Sequence, residues 1–92
     1  MIGAAHCECL IYQAQSLKEK RAVVKSITTK MKQRLNVSVA EMDYHDLWQR
    51  TAITIVSVNR DSTILEKELQ KACELIDRVP ELERTVTEFE WL

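Results

Sequence analysis

The sequence predicts an α+β domain whose strands and helices follow the order β-α-β-β-α-β. Three segments carry apolar residues at every second position, which is typical of strands, and a fourth, acidic strand is predicted after Pro80. Two longer segments carry them three and four positions apart, which is typical of amphipathic helices. Both helical segments also begin at polar residues that can cap a helix. Ninety-two residues provide one modest core, so we expect a single domain over residues 1–92.

The first strand and the first helix are the most clearly marked elements. Ile2 to Tyr12 has apolar residues at both odd-numbered and even-numbered positions, so both faces of this strand are apolar. This indicates an inner strand, with His6 and Glu8 on its more exposed face. Ser16 and Glu19 form a capping box, so a helix is predicted from Leu17 to Leu35. Asn36 is predicted to end it in left-handed backbone geometry. The predicted buried stripe of this helix consists of Val23, Val24, Ile27, Met31 and Leu35.

The rest of the chain is predicted to contain three more strands and a second helix. A strand from Asn36 to Asp43 precedes a second inner strand from Thr51 to Asn59. The next helix is capped by Asp61, Ser62 or Thr63 and is ended by Pro80, and a last strand runs from Leu82 to Trp91. The predicted buried face of the second helix consists of Leu65, Leu69, Ala72, Cys73 and Ile76.

These elements define a ferredoxin-like β-α-β-β-α-β sandwich. Two right-handed β-α-β crossovers joined by a hairpin give a four-stranded antiparallel sheet with both helices on one face. The first and third strands are then the inner pair.

Charge is unevenly distributed although the net charge is only −1. The segment 16–36 holds seven basic residues and one acidic residue, whereas the last strand is acidic. At about 100° per residue, four of the bases lie within roughly 60° of one another on the first helix. This basic stripe consists of Lys18, Arg21, Lys25 and Lys32. It is either a solvated helix face or a surface for phosphate groups.

The segment that connects the second and third strands is rich in side chains that end in a polar group. It contains Tyr44, His45, Asp46, Trp48, Gln49 and Arg50. These residues either pack the end of the sheet or form a recognition surface, since Trp stacks on bases and Arg binds phosphate or carboxylate. We therefore treat Trp48 and Arg50 as candidate RNA contacts, and Tyr44, His45, Asp46 and Gln49 as candidate interaction residues.

Other kinds of site are poorly supported. Strand alternation directs Cys7 and Cys9 to one face and His6 and Glu8 to the other, so we expect buried free thiols and no metal site. The chain has one glycine, which excludes the glycine-rich loops of nucleotide-binding proteins. No motif brings a nucleophile, a base and an orienting group together. We expect no cofactor and no enzyme activity.

Three stretches of the chain are distinctive, namely Ser16 to Arg21, Asn36 to Glu41 and Asp46 to Arg50. With them the chain resembles the YlxP-like family of small bacterial proteins. Glu83 to Val86 and Glu90-Trp91 near the end resemble its Bacillus-type branch. The resemblance covers essentially the whole chain and implies a ferredoxin-like domain of unknown function. It also implies a setting, since genes of the family often lie beside those for transcription elongation, translation initiation and small-subunit maturation.

The leading hypothesis is a non-enzymatic accessory protein that contacts RNA or the small ribosomal subunit. The alternative is a protein-interaction module that forms homodimers or higher oligomers, because one face of the sheet and two edge strands are left open. A third possibility, an enzyme or small-ligand binder, requires a pocket near His6, His45 and Asp46. No segment is apolar enough to cross a membrane, and the start of the chain lacks the pattern of a signal peptide, so we expect a cytoplasmic location.

Overall fold

The computed structural model describes all 92 residues and contains the predicted elements in the predicted order. Its strands and helices are β1 (Ile2–Leu10), α1 (Leu17–Arg34), β2 (Val37–Asp43), β3 (Arg50–Val58), α2 (Ser62–Asp77) and β4 (Glu83–Trp91). The strands form one sheet in the order β2-β3-β1-β4, and all neighbours are antiparallel. The ferredoxin-like fold and the inner position of β1 and β3 are confirmed.

The core lies between the sheet and the two helices. Ala5, Cys7 and Cys9 of β1 and Ile53 and Ile55 of β3 are completely or almost completely buried there. The helices contribute Val24, Ile27, Met31, Leu65, Leu69, Ala72, Cys73, Leu75 and Ile76. The opposite face of the sheet has no helix over it, and we call it the open face.

The N-termini of both helices are capped by residues among those predicted from the sequence. The Ser16 hydroxyl accepts a hydrogen bond from the backbone N–H of Glu19, as the capping box predicts. Of the three candidates for the second helix, Asp61 is the cap, since its carboxylate accepts from the N–H groups of Thr63 and Ile64. A carboxylate at this position satisfies two amides that have no partner inside the helix.

Two local predictions were wrong. β1 ends at Leu10, not at Tyr12. Asn36 does not adopt left-handed geometry, because α1 ends in the extended conformation of Leu35 and the chain passes directly into β2. The amide group of Asn36 instead donates to the carbonyl of Val58 on the neighbouring strand.

β4 packs its aromatic residues on the helix side of the sheet. Trp91 is paired with Gly3 and Phe89 with Ala5. A Cβ atom on Gly3 would lie 2.8 Å from Cζ3 of Trp91 and 3.0 Å from Cδ1 of Leu69. The indole ring therefore packs directly against the backbone of Gly3, and any side chain at this position would have to displace it. None of the helices is long and apolar enough to span a bilayer.

Candidate functional site

The outward side of α1 carries the basic residues that the sequence analysis singled out. Lys18, Arg21, Lys25 and Lys32 are all exposed, and none of them takes part in an ion pair. Lys30 and Arg34 are likewise unpaired and lie on the other flank of the outward side of α1, rotated by at least about 120° from this stripe at about 100° per residue. The six residues Lys18, Arg21, Lys25, Lys30, Lys32 and Arg34 are called the α1 cationic surface below.

A shallow depression lies within this surface. Its volume is about 550 Å³, and Lys25, Lys30 and Arg34 contribute to its wall. The remaining lining residues are Ala22, Ser26, Thr29 and Gln33. Small and neutral side chains between the cations leave room for a phosphate-bearing strand to approach the helix, and they add no carboxylate that would repel it.

Lys20 differs from the other bases of α1 because its side chain is completely buried. Its Nζ lies 2.6 Å from Oε2 of Glu41 and donates to the carbonyl of Tyr44 at 2.7 Å and to that of His45 at 3.4 Å. The hydroxyl of Thr51 donates to the same Glu41 oxygen at 2.6 Å. We call Lys20, Glu41 and Thr51 the Lys20 network.

The sequence analysis counted Lys20 among the seven bases of 16–36 and assigned it no role, although a signal for its burial was present. Lys20 precedes Val24 by four positions and Ile27 by seven, so it lies on the same side of the helix as the buried stripe. A lysine in that register needs an acidic partner in the interior. Glu41 supplies it from the core side of β2, next to Val39 in the alternating pattern.

The Lys20 network holds the connection 44–49 between β2 and β3. Tyr44 has a φ of 62° and is the only residue in left-handed geometry. Its N–H donates to the carboxylate of Asp43 at 2.7 Å, and its carbonyl accepts from Lys20 and from the N–H of Leu47 at 3.1 Å. These bonds offset the cost of the unusual backbone conformation.

Three of the four candidate interaction residues are engaged within the protein. The Tyr44 hydroxyl donates to Oε1 of Glu8 at 3.0 Å, a hydrogen bond that raises the pKa of the phenol. His45 Nε2 bonds with the carbonyl of Glu41, and Gln49 Nε2 donates to the carbonyls at positions 12 and 14. Asp46 is exposed and makes no side-chain hydrogen bond.

The candidate RNA residues divide between two sides of the sheet. Arg50 donates to Glu8 at 2.9 Å and lies 4.1 Å from the centre of the Tyr44 ring, on the open face. Trp48 is half exposed and lines an open pocket of about 470 Å³ together with Leu10, Leu47 and Arg50. The sheet therefore separates Arg50 from the α1 cationic surface, and the two do not form one continuous site.

His6 makes polar contacts with the two neighbouring strands on the open face. His6 Nδ1 lies 3.0 Å from the hydroxyl oxygen of Thr54, and its Nε2 lies 3.0 Å from Oε1 of Glu90. His45 is at the end of the sheet with different partners, so the structure does not bring His6, His45 and Asp46 together in one pocket.

The three cysteines are free thiols in the core, as predicted. Cys7 and Cys9 point to the helix side, whereas His6 and Glu8 point to the open face. A hydrogen bond with Cys73 and burial raise the pKa of the Cys7 thiol. Burial raises the pKa of Cys9 to about 11. Both thiols are therefore protonated at neutral pH, and no three His, Cys, Asp or Glu side chains converge as metal ligands.

Fold and surfaces together define a ferredoxin-like α+β domain with a cationic helix on one side and an uncovered sheet on the other. Residues 2–89 match the family described as "Protein of unknown function (DUF503)". The chain is also 53% identical over 91 residues to the "Uncharacterized protein YlxP" of Bacillus subtilis (strain 168), and the match covers 99% of each chain. The chain belongs to this family, and the YlxP-like resemblance is confirmed.

Proposed function

We propose that the protein is a non-catalytic accessory factor that binds RNA, such as that of the small ribosomal subunit, through the α1 cationic surface. The observation that supports this function is the set of six cations without an ion-pair partner on one helix. In a chain of net charge −1 with fourteen carboxylates, unpaired bases concentrated on one helix create a local positive field.

The salt dependence of binding follows from this geometry. If the four bases of the sequence-predicted stripe each neutralise one phosphate of single-stranded RNA, log K falls with log salt at a slope of about −2.8. Raising the salt from about 50 to 200 mM then weakens binding roughly 50-fold. A surface that binds by stacking alone has a much smaller slope.

The test is co-sedimentation of the protein with ribosomal subunits and with total RNA over a salt series. The test variant changes Lys18, Arg21, Lys25 and Lys32 to Glu. A matched control changes four exposed and unpaired bases outside α1, namely Arg60, Lys67, Lys71 and Arg78, to Glu. Both variants have the same net charge, so a difference between them reports the position of the charge.

We expect the α1 variant to lose salt-sensitive binding and the control to keep most of it, with both giving the circular dichroism spectrum of the unchanged protein. Equal loss in the two variants would show a non-specific charge effect. An absence of binding at low salt would refute the RNA function.

A second candidate function is self-association through the open face. Ile2, Val56, Val58 and Val86 expose between 37% and 55% of their surface there. Four strands about 4.8 Å apart and about 30 Å long present roughly 550 Å² per copy, so two copies bury roughly 1,100 Å². That area is at the lower limit for a specific interface.

This candidate predicts a weak dimer that sedimentation velocity detects at high protein concentration. Val58 is the most exposed of these four residues. The variant Val58→Lys is expected to be monomeric without loss of stability. A protein that is monomeric at all accessible concentrations excludes this function.

A further inference from the structure

The outer edge of β4 carries recognition groups that the proposed RNA contact does not use. β4 is an edge strand of the sheet, so its outer side has no strand partner. The N–H of Leu92 donates to the carbonyl of Ile2 at 2.9 Å. In an antiparallel ladder the direction of backbone groups alternates, so those of Thr87, Phe89 and Trp91 point away from β1. This edge can accept a fifth strand.

The two faces of β4 differ in chemistry. Glu88 and Glu90 lie on the open face, where Glu90 contacts His6 through one oxygen and Glu88 has no hydrogen-bond or ion-pair partner. On the helix side, Phe89 and Trp91 are stacked with ring centres 6.0 Å apart and planes within 4° of parallel. The two aromatic residues are 38% and 49% exposed.

The acidic character of this edge is not cancelled by nearby bases. Arg84 is the one basic residue of β4, and its guanidinium is bound to Asp77 through two hydrogen bonds of 2.9 and 2.8 Å. Glu88 and the second oxygen of Glu90 therefore remain available to a cation from outside.

We propose that the outer edge of β4 binds an extended, basic segment of another protein as a fifth strand. Backbone groups of the segment pair with Thr87, Phe89 and Trp91, which is the recognition mode of β-strand addition. Lys or Arg side chains on one face of the segment lie opposite Glu88 and Glu90. Side chains on its other face pack on the aromatic pair, which accepts both apolar groups and cations.

The same charges disfavour a second copy of this chain at this edge. Pairing β4 with β4 of another copy brings carboxylates close together across the strands, and like charges that face each other destabilise a sheet. The edge therefore selects for a basic partner. The proposal is independent of the RNA function, because the α1 cationic surface and β4 share no residue.

The test uses the full-length protein and a nine-residue peptide that alternates lysine with valine and has blocked ends. One control peptide has glutamate in place of lysine, and another carries N-methyl groups on the amides of one edge. Fluorescence anisotropy of the labelled peptide measures affinity, and hydrogen exchange measures protection of the amides of Thr87, Phe89 and Trp91. We expect the lysine peptide to bind and protect these amides, and both control peptides to fail.

Changing Glu88 and Glu90 to Gln is expected to weaken peptide binding roughly three- to tenfold at low salt, as for two exposed cross-strand ion pairs. Changing Glu88 alone is expected to weaken it by a smaller factor without disturbing the contact of Glu90 with His6. The matched control changes the exposed, unpaired Glu66 and Glu74 of α2 to Gln and is expected to bind like the unchanged protein.

Equal weakening in both double variants, or unchanged binding of the N-methylated peptide, would overturn the proposal. Amide protection that increases with protein concentration in the absence of peptide would show that a second copy occupies the edge and would also overturn it. The α1 charge-reversal variant is expected to bind the peptide normally, so failure of the RNA function and failure of this proposal are distinguishable.

Discussion

Replacing Lys20 by Met tests whether the buried ion pair holds α1 to the rest of the fold. Met has a similar length but no charge and no donor. Lys20 Nζ lies 2.6 Å from Glu41, the lysine side chain is fully buried, and the glutamate side chain is only 15% exposed. The variant leaves the Glu41 carboxylate with Thr51 as its one side-chain donor, and it removes a donor from the carbonyl of Tyr44.

Loss of one partner from a buried ion pair typically costs 3–5 kcal/mol, because the other charge stays buried without compensation. Since small domains have free energies of unfolding of about 5–15 kcal/mol, Lys20→Met should remove a large part of the stability. The second change Glu41→Gln removes the uncompensated charge and should recover about 2 kcal/mol. Lys18→Met, at an exposed position of the same helix, should change stability by less than about 0.5 kcal/mol.

Urea denaturation followed by circular dichroism measures these differences, and the unchanged protein, Lys20→Met, Glu41→Gln and the double variant form a double-mutant cycle. Hydrogen exchange at the amide of Leu47, which bonds to the Tyr44 carbonyl, should accelerate in Lys20→Met. A loss below about 1 kcal/mol in Lys20→Met, or a double variant whose loss equals the sum of the two single losses, would contradict this reasoning.

Three further predictions concern stability. Gly3→Ala places a methyl group against the Trp91 ring and should cost about 1–2 kcal/mol, which calorimetry would detect as a lower Tm; an unchanged Tm argues against the close contact. Arg84 lowers the pKa of Asp77 from its usual 3.8, so this bond stabilises the protein above that pH and the contribution disappears as pH falls. Asp77→Asn should be less stable at pH 7 by under about 1 kcal/mol, since the carboxylate is half exposed, and the difference from the unchanged protein should vanish near pH 2 in urea titrations. The three buried thiols should react with a thiol reagent only as fast as the protein opens, and rapid reaction in the native state would contradict their burial.

Elements with long periodic patterns could be predicted from sequence because the pattern and the burial have the same cause. Val24, Ile27 and Met31 recur at the helical spacing and are buried as predicted. β1 and β3 carry apolar residues on both of their faces, and these strands occupy the centre of the sheet. The cap at Ser16 was also predicted, whereas for α2 the sequence left Asp61, Ser62 and Thr63 as candidates and the structure selects Asp61.

Features that depend on contacts between distant parts of the chain were not predicted. Helical spacing places Lys20 on the buried side of α1, but Glu41 is distant in sequence and no local pattern identifies it as the partner of Lys20. The separation of Arg50 from the basic helix depends on which face of β3 it occupies, and a shift of one residue in register reverses that face. The one residue in left-handed geometry is Tyr44, whose carbonyl accepts a hydrogen bond from the distant Lys20, a contact that no local pattern encodes.

The order of strands also sets how strongly the two proposed surfaces influence each other. α1 packs on β2 at one edge of the sheet, and the acidic groups of β4 lie at the other edge, three strand spacings or about 14 Å away. This distance exceeds the Debye length of about 8 Å at physiological ionic strength. Ligands on the two surfaces should therefore bind independently in the cell, whereas at about 0.01 M salt, where the Debye length is about 30 Å, occupation of one surface should alter the affinity of the other.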